Sequence, residues 1–413
     1  MKKNIFSLLL NNSFNIILPL ILIPYLVKHL GITSYGKLSF IQSLGQYFVV
    51  FVDYGHSLSA PRVIAEFRNE RDKLEHWYSK YMSSRILLLI VSFPFYCLMM
   101  VLIPALHHNI LETLAFYISV VAQALMPYWY LQAIEIMLPL TIASISTRII
   151  YTISTILLVK NSENVLEAIL SQSASNLLMS ILLLTFINLN LKTKIRYVSF
   201  NESWNLLKLD SKLFIAQFAS TIFGSSNIFI LGLFANPLIV GQYAVAERVI
   251  RTAAQLTSAI TTAIYPRINL LFSKNDTKEA YRIIKRVGVL WGTLIGLSCI
   301  SVAIFAPSIV LFIQGNTDAD SIMFLRILSF VPFFIFIENI FGTQILLSVG
   351  SDKIFLRNLV IVMLVSLIFS LIFVPLFNGL STSIISILSQ VLICLLMVVS
   401  VVNLDKFKNL SRS

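Results

Sequence analysis

The chain of 413 residues carries little charge: Asp, Glu, Lys and Arg together make up 12% of it, about half the share in an average soluble domain. Hydrophobic residues make up 57%, and the mean hydropathy is +0.85. A chain this apolar cannot cover its surface with polar groups, so the composition excludes a soluble globular protein. Its apolar runs are about 20 residues long, the length that a helix needs to cross a bilayer. The sequence therefore predicts an all-α integral membrane protein.

Cysteines and catalytic motifs are also scarce. The three cysteines, Cys97, Cys299 and Cys394, all lie in apolar runs, which excludes a disulfide framework and a cysteine metal site. The chain contains no G-x-x-x-x-G-K-[ST] motif, so it does not use ATP directly. Neither a Ser-His-Asp grouping nor a metal-ligand spacing stands out. We therefore predict a protein that is not an enzyme and that has no cofactor and no metal site.

What the sequence does contain is a regular series of apolar runs joined by short connections. The pattern predicts two lobes of six helices each around a central polar cleft. The predicted domains are a first lobe at 1–190, a cytoplasmic linker at 191–211, a second lobe at 212–403 and a cytoplasmic tail at 404–413. The twelve predicted spans lie near residues 5–27, 38–60, 84–106, 111–133, 138–159, 165–189, 212–234, 241–264, 287–313, 323–347, 354–377 and 380–403.

Lysine and arginine residues fall mostly on one side of these spans. With the N-terminus placed in the cytoplasm, 24 of the 31 lie in cytoplasmic segments and 4 in outer ones, while Arg148, Arg248 and Arg251 lie within spans. Basic residues concentrate on the cytoplasmic side of membrane proteins, so both termini are predicted to be cytoplasmic. The same distribution accounts for most of the basic charge behind the net charge of +12 without a nucleic acid partner.

The two halves of the chain resemble each other at an offset of 205 residues. Gly36 corresponds to Gly241, and the Pro-Arg pair at 61–62 corresponds to the pair at 266–267. Proline disfavours the helical conformation at the residue before it, so we expect each of these two spans to end just before its proline. Two halves with internal similarity are typical of membrane carriers whose binding site lies between the repeats.

Polar side chains concentrate in the first, second, seventh and eighth spans. In the eighth, Glu247, Arg251 and Gln255 are spaced four residues apart and lie on one face of a helix, beside Arg248. An arginine at the middle of a bilayer costs about 2.5–3.5 kcal/mol on insertion scales, so we expect these side chains to face the polar cleft. The other residues predicted to line it are Asn12, Asn15, Gln42, Gln46 and Gln217.

The excess charge within the spans is positive. Arg148 lies near the middle of the fifth span, and together with Arg248 and Arg251 it predicts a cationic site in the cleft. The planar guanidinium group matches phosphate and carboxylate groups, so the predicted ligand is an anion such as a phosphate or an acidic sugar. Arg248 can alternatively extend to the membrane surface.

Several of these polar residues also have a structural interpretation. Glu247 and Arg251 are four residues apart and can simply neutralise each other. Asp53 lies near the cytoplasmic end of its span and can stabilise structure there, and Glu338 can form a hydrogen bond between helices. The asparagines and glutamines can bridge helices as well. We interpret the basic segment 62–85 as a determinant of topology rather than as part of a site.

The segment PYLVKHLGITSYGKLSFIQSLGQYF, residues 24–48, is similar to the N-terminal signature of the Wzx-type O-antigen flippases, which belong to the polysaccharide exporters of the multidrug/oligosaccharidyl-lipid/polysaccharide superfamily. The second half of the chain has the family-like GQYAVAERV and YPRI. Lys28 stands where many relatives have arginine. The residues that carry the resemblance are Pro24, Tyr25, Leu26, Lys28, Leu30, Gly31, Tyr35 and Gly36.

This resemblance implies a MATE-like fold and a flippase of the bacterial inner membrane. Such a protein moves undecaprenyl-diphosphate-linked repeat units from the cytoplasmic to the periplasmic face by alternating access, coupled to an ion gradient. It implies H⁺ or Na⁺ as the coupling ion, with Asp53, Glu247 and Glu338 as the candidate carriers. It also implies an O-antigen polymerase and a chain-length regulator as partners.

Two other functions stay open at this point. A multidrug or cation antiporter of the same superfamily would share the architecture, but it would favour acids rather than arginines in its cleft. An O-antigen polymerase is also polytopic, but we would expect it to have a large outer loop. The outer connections of this chain are short and poor in charge, so the polymerase is the less favoured of the two.

Overall fold

The computed structural model describes residues 2–274 and 276–403, and the predicted tail at 404–413 lies outside them. Every element within the described residues is a helix, and none is a strand. The side chains that remain undescribed within these ranges are those of residues 2–13, 15–17, 20, 223 and 259.

Eight α-helices and one short 3-10 helix, which lies between α3 and α4, form the first part of the chain. They are α1 Lys2–Asp53, α2 His56–Glu66, α3 Arg71–Leu102, the 3-10 helix Pro104–Asn109, α4 Ile110–Leu125, α5 Tyr128–Ala133, α6 Met137–Leu158, α7 Val165–Leu189 and α8 Phe200–Phe234.

The later helices include a π-helical segment between α13 and α14. They are α9 Pro237–Ser273, α10 Thr277–Ile304, α11 Ala306–Gln314, α12 Ala319–Leu328, α13 Val331–Glu338, the π-helix Asn339–Leu347 and α14 Asp352–Val402.

The contacts divide the chain into two compact units, Met1–Ser225 and Ser226–Ser413. The division lies within α8, later in the chain than the predicted linker at 191–211. The physical reason is that the early part of α8 packs on the first unit, where Gln217 donates a hydrogen bond to Asp53. The predicted domain boundaries stay a prediction.

Seven helical segments of the described chain are long and apolar enough to cross a membrane, or eight if the bent α8 counts as one span. They include the third to sixth, ninth and tenth predicted spans, and α14 holds the eleventh and twelfth. Non-helical backbone at Gly31 and Asn378 divides α1 and α14, and each break separates two predicted spans. The eighth predicted span is α9, which is helical throughout and carries the charged stripe.

Small and polar residues bring α4 and α7 together in the first unit. The Ser119 and Ser173 hydroxyls lie 2.9 Å apart, and Ser180 Oγ donates to the Ala122 carbonyl oxygen at 2.7 Å. Lipid provides neither a hydrophobic driving force between helices nor a polar partner, so close packing of small residues and hydrogen bonds join them.

Amide side chains make comparable contacts in the second unit. Gln344 Nε2 donates to the Thr261 carbonyl oxygen at 2.7 Å, which joins the π-helix to α9. Asn358 Nδ2 donates to Ser400 Oγ at 2.8 Å, so the two parts of α14 pair with each other. The break at Asn378 separates these two parts.

A corner between α1 and α2 receives the early part of α8. Tyr54 and Gly55 both have positive φ angles, of 50° and 78°, and this turn ends α1 after Asp53. The rings of Tyr54 and Phe214 stack with centroids 4.3 Å apart. A Cβ atom on Gly55 would lie 3.0 Å from Leu213 Cβ, so glycine permits both the turn and the close approach. We call this contact, made by residues 53–59 with residues 210–217, the α8 seat.

The expectation that helices end just before Pro61 and Pro266 is wrong. The helix α2 continues to Glu66, and α9 continues to Ser273. The chain breaks instead at the Tyr54–Gly55 turn, where positive φ angles interrupt the helix, whereas an internal proline removes only one backbone hydrogen bond. The starts of the repeat do correspond, because helix resumes after Gly31 and α9 begins at Pro237, at the same offset of 205 residues.

The segment between α7 and α8 is fixed to the start of α3. Arg196 Nη2 lies 2.8 Å from Asp72 Oδ1 and 2.7 Å from Glu75 Oε2, and hydrogen bonds to these carboxylates raise the pKa of Arg196. The Arg196 backbone N–H donates to Ser79 Oγ at 2.8 Å. The first part of the predicted linker 191–211 is therefore held by ion pairs, and the rest forms the early turns of α8.

The tight fit at Gly55 predicts that Gly55→Ala destabilises the protein more than Gly315→Ala. Both glycines have a left-handed backbone conformation, with φ angles of 78° and 80°. Each substitution therefore costs about 1–2 kcal/mol of backbone strain. Only at Gly55 would the new methyl group also meet backbone atoms of α8 at 3.1 Å; at Gly315 nothing lies within 4 Å among the described atoms. The measurement is the Tm of each variant in detergent. An equal decrease in Tm for Gly55→Ala and Gly315→Ala would contradict the close contact at the α8 seat.

Candidate functional site

A buried ion pair joins helices of the first unit. Arg85 on α3 is fully buried, and its Nη2 donates a short hydrogen bond to Oδ1 of Asp53, the last residue of α1. The other Asp53 oxygen accepts from Ser57 Oγ at 2.7 Å and from Gln217 Nε2 at 3.1 Å. The Asp53 carboxylate therefore joins α1, α2, α3 and α8.

The remaining surroundings of Arg85 come from the break between α4 and α5. Pro127 has no backbone N–H and interrupts the helix there, and the preceding Met126 carbonyl oxygen accepts from Arg85 Nη1 at 2.7 Å. The Trp129 ring lies 6.0 Å from the Arg85 guanidinium carbon. Among the described residues, neither Arg85 Nε nor Trp129 Nε1 has a hydrogen-bond partner. The guanidinium is thus shielded by protein on several sides, although one of its N–H groups makes no hydrogen bond.

A second buried carboxylate lies at the α8 seat. Asp210 on α8 is 7% exposed, and its Oδ2 accepts a hydrogen bond of 2.5 Å from Ser59 Oγ on α2. The nearest basic group is His56, whose Nε2 lies 3.7 Å from the same oxygen. His56 is fully buried, and neither ring nitrogen makes a hydrogen bond within the described structure. We refer to Asp53, His56, Arg85 and Asp210 as the buried charge cluster.

Of the four residues in this cluster, the sequence singled out only Asp53. The charge pattern places Arg85 in the basic segment 62–85 as a determinant of topology, which stays a prediction. The structure adds that Arg85 is fully buried and paired with Asp53. His56 and Asp210 carry no local signal, because they are 154 positions apart in the sequence and meet only through the packing of α8. The sequence contains one weak indication that Arg85 is buried, because this residue lies just inside the predicted third span.

In the second unit, α9 carries the charged stripe predicted for the eighth span. Glu247 is buried, and its Oε1 accepts from Arg251 Nε at 3.0 Å and from Arg251 Nη2 at 2.5 Å. Its Oε2 atom has no hydrogen-bond partner in the described part of the chain. The structure therefore contains the ion pair that the spacing of four residues allows. Arg248 and Gln255 are exposed at the protein surface.

The other two predicted charged residues lie on separate helices. Arg148 on α6 is partly buried, and its carbonyl oxygen accepts from Thr152 Oγ1 at 2.9 Å. Glu338 is the last residue of α13 and is also partly buried. It immediately precedes the nine-residue π-helix Asn339–Leu347, and π-helical turns are often found at functional sites.

The residues predicted to line a cleft have different surroundings. Gln42 Nε2 donates to Gln172 Oε1 at 2.7 Å, which joins α1 to α7. Gln217 donates to Asp53 as described above, and Gln46 is exposed. Asn12 and Asn15 lie outside the residues whose side chains the structure describes. At least Gln42 and Gln217 therefore act as bridges between helices in this conformation.

Neither unit contains a metal-binding arrangement in the described residues, since no group of three or more His, Cys, Asp or Glu side chains is placed to hold an ion. The chemistry available is that of fixed charges: guanidinium groups that can bind oxyanions, and buried carboxylates that can bind a cation or a proton.

Comparison with known sequences gives two findings. A family model described as polysaccharide biosynthesis protein matches residues 1–272. A proposed O-antigen transporter of Escherichia coli (strain K12) is 28% identical over 404 residues, which cover 98% of this chain and 97% of the relative.

Comparison with solved structures gives two more. The lipid II flippase MurJ in an inward closed conformation is similar at a TM-score of 0.74 with 14% identity, over 97% of this chain and 87% of that one. An inward-facing multidrug resistance MATE family transporter of the MOP superfamily is similar at a TM-score of 0.65 with 11% identity. The match covers 95% of this chain and 99% of that one. These structures confirm the predicted all-α, multi-span membrane fold of MATE-like type.

The burial of the ion pair predicts that Arg85→Met strongly destabilises the protein. The substitution leaves the Asp53 carboxylate without its cation in an apolar environment, which costs about 3–5 kcal/mol. In the double variant Asp53→Asn with Arg85→Met, we expect part of this loss to be recovered. The measurement is a double-mutant cycle of the free energy of unfolding in detergent micelles.

The matched control for this cycle is Arg282→Met. Arg282 forms an ion pair of 2.6 Å with Glu279, but its side chain is 77% exposed, so its replacement should cost far less. Strictly additive losses at Asp53 and Arg85 would contradict the coupling that the geometry implies.

Proposed function

Because this chain belongs to the polysaccharide biosynthesis protein family, we propose that it is a flippase for lipid-linked polysaccharide repeat units. The family match over residues 1–272 is the observation that carries the proposal, and it confirms the resemblance identified in residues 24–48. The chain is a multi-span membrane protein, and its relative in Escherichia coli bears the name of a transporter. The direction of transport we propose is from the cytoplasmic to the periplasmic face of the inner membrane, with both termini in the cytoplasm.

The proposed substrate is an undecaprenyl-diphosphate-linked oligosaccharide. A diphosphate at the junction of lipid and sugar is the part that opposes passage through the bilayer, because a charge in hydrocarbon is costly. Arg148, Arg248 and Arg251 are the proposed binding residues, since arginine recognises phosphate oxygens with two parallel hydrogen bonds. The exposed side chain of Arg248 supports this role most directly.

We propose that transport proceeds by alternating access and is coupled to an H⁺ or Na⁺ gradient. Asp53, Glu247 and Glu338 are the proposed coupling residues. Two of them are engaged in ion pairs, Asp53 with Arg85 and Glu247 with Arg251, so coupling through either requires its arginine to release it or to move with it. An O-antigen polymerase and a chain-length regulator are the proposed partners in the pathway.

The proposed topology requires the four residues of the buried charge cluster to lie on one side of the membrane. Asp53 and His56 end the second span, Arg85 begins the third and Asp210 precedes the seventh, so the predicted topology puts all four at the cytoplasmic ends of their helices. Residues that meet in space need to lie at one depth in the membrane. Their contacts, such as the 3.7 Å between His56 Nε2 and Asp210 Oδ2, agree with that requirement. The assignment of this side to the cytoplasm rests on the distribution of Lys and Arg alone.

A multidrug or cation antiporter is the second candidate, favoured by the structural similarity to the MATE family transporter. At 11% identity, that similarity concerns the fold alone. The chain has 31 basic and 19 acidic residues, and three arginines lie within its predicted spans, which is the wrong sign for a cleft that attracts cations. The flippase is therefore the function we propose.

The experiment that tests this proposal uses a strain from which the gene is deleted. We expect wild type to restore the lost surface polysaccharide and Arg248→Ala to restore about tenfold less, because a hydrogen bond between charged groups contributes about 1.5–3 kcal/mol. The measurement is the surface polysaccharide per cell at equal membrane abundance of each variant.

Arg282→Ala is the matched control, since Arg282 is an exposed arginine in the predicted cytoplasmic segment between the eighth and ninth spans; it should restore the polysaccharide fully. If Arg248→Ala performs as well as wild type, the cationic site does not include Arg248. If deletion leaves the polysaccharide unchanged, the proposed function is wrong and drug export becomes the leading alternative.

A further inference from the structure

We propose that Asp210 is a proton-binding site whose protonation holds the early part of α8 in its seat on α2. The proposal concerns a residue that plays no part in the cationic site or among the three coupling candidates. It is carried by the charge balance of the buried cluster, by the surroundings of Asp210 and by the geometry of the seat.

The charges of the buried cluster do not balance when both carboxylates are ionised. The buried charge cluster contains two carboxylates, Asp53 and Asp210, but one permanent cation, Arg85, which is engaged by Asp53. Among the described side chains, no lysine or arginine forms an ion pair with Asp210. Burial disfavours an unpaired carboxylate and favours its neutral, protonated form. One proton on Asp210 brings the cluster to zero net charge.

His56 is the other group of the cluster that could supply a positive charge. His56 is fully buried and makes no hydrogen bond through either ring nitrogen within the described structure. Burial favours the neutral imidazole, and a nearby guanidinium opposes a second positive charge. The Nε2 atom of His56 lies 3.7 Å from the Asp210 oxygen, which is beyond hydrogen-bond distance, so His56 does not satisfy the carboxylate with a hydrogen bond. The titratable and charged groups that face this pair from the adjoining elements are Asp53 and Tyr54 near the end of α1 and Tyr81 and Arg85 on α3.

The α8 seat is compatible with a protonated Asp210 carboxyl group. The contact between Ser59 Oγ and Asp210 Oδ2 is 2.5 Å long, and a serine hydroxyl can either donate or accept. The contact therefore survives protonation. Loss of the proton leaves a buried carboxylate with one hydroxyl donor, so water becomes the better environment for it, and the contact between α8 and α2 weakens.

The consequence concerns the mobility of α8. Two polar contacts hold its early part on the corner between α1 and α2: Asp210 with Ser59, and Gln217 with Asp53. Only the first depends on the proton. Deprotonation thus releases the N-terminal side of the seat while Gln217 remains attached. The use of this movement in transport rests on the proposed function, but the proton site itself does not.

The test uses the purified full chain in lipid nanodiscs, with Asp210→Asn as the main variant. Asparagine has the shape of the protonated aspartic acid and keeps an oxygen for Ser59. A carboxyl group that binds its proton more tightly in the folded than in the unfolded state stabilises the fold at low pH, and this stabilisation is lost as the pH rises. We therefore expect the Tm of Asp210→Asn to exceed that of wild type by a margin that grows from pH 4.5 to pH 8.

Hydrogen exchange locates the effect. After correction for intrinsic rates, we expect the amides of residues 206–217 in wild type to exchange faster at pH 8 than at pH 5.5. In Asp210→Asn they should exchange at pH 8 as slowly as in wild type at pH 5.5. Asp320→Asn is the matched control, because Asp320 is an exposed aspartate in the first turn of α12; it should behave as wild type does.

A second variant keeps the test decisive if Asp210→Asn does not fold. Ser59→Ala removes a donor that favours the charged carboxylate, so the pH midpoint of the exchange transition should move upward. The proposal is overturned if wild type shows no pH dependence in residues 206–217, or if Asp210→Asn lowers the Tm at every pH, as expected for a structural anion. None of these measurements uses polysaccharide export, so their failure is separate from failure of the proposed function.

Discussion

A guanidinium group buried among apolar helices needs a carboxylate beside it, and much of the first unit is arranged around this need. Arg85 on α3 is neutralised by Asp53, which is the residue at which α1 ends. The same carboxylate accepts hydrogen bonds from α2 and α8, and the guanidinium donates to the carbonyl oxygen exposed by the break before α5. Four helices and the connection between α4 and α5 are thereby fixed in one relation by a single pair of charges, since displacement of any one of them would leave a charge or a polar group unsatisfied.

The two units neutralise the buried carboxylates of Asp53 and Glu247 with differently placed arginines. In the first, the ion pair joins separate helices, whereas in the second Glu247 and Arg251 belong to the same helix, α9. A pair on one helix needs no partner helix and adds little to tertiary stability. It lowers the cost of placing an arginine in the membrane while leaving one face of the helix polar. Arg248 beside this pair is exposed and is the residue we propose for ligand binding, whereas Arg85 is buried and joins helices.

The internal repeat illustrates how equal sequence patterns diverge. Helix begins at corresponding positions, after Gly31 and at Pro237, and both segments continue through corresponding glycines. The first segment then breaks at Tyr54 and Gly55, while α9 continues without a break to Ser273. The break creates the corner on which α8 rests, and it places Asp53 at a helix end where its carboxylate reaches three other helices. Ser258, the residue that corresponds to Asp53 in the repeat, remains within a continuous helix and carries no charge.

The sequence by itself determined the class of fold, the helical segments of the predicted spans and the stripe on α9, because these depend on local properties: the length of apolar runs and the spacing of residues along one helix. It also determined the family, through residues 24–48. Only the tertiary structure decided which charges meet. Asp53 and Arg85 are 32 positions apart, and His56 and Asp210 are 154 apart, so no local pattern pairs them. Their partnership arises from the packing of α3 and α8 on the α1–α2 corner, since electrostatic interactions depend on distance in space and burial rather than on order in the chain.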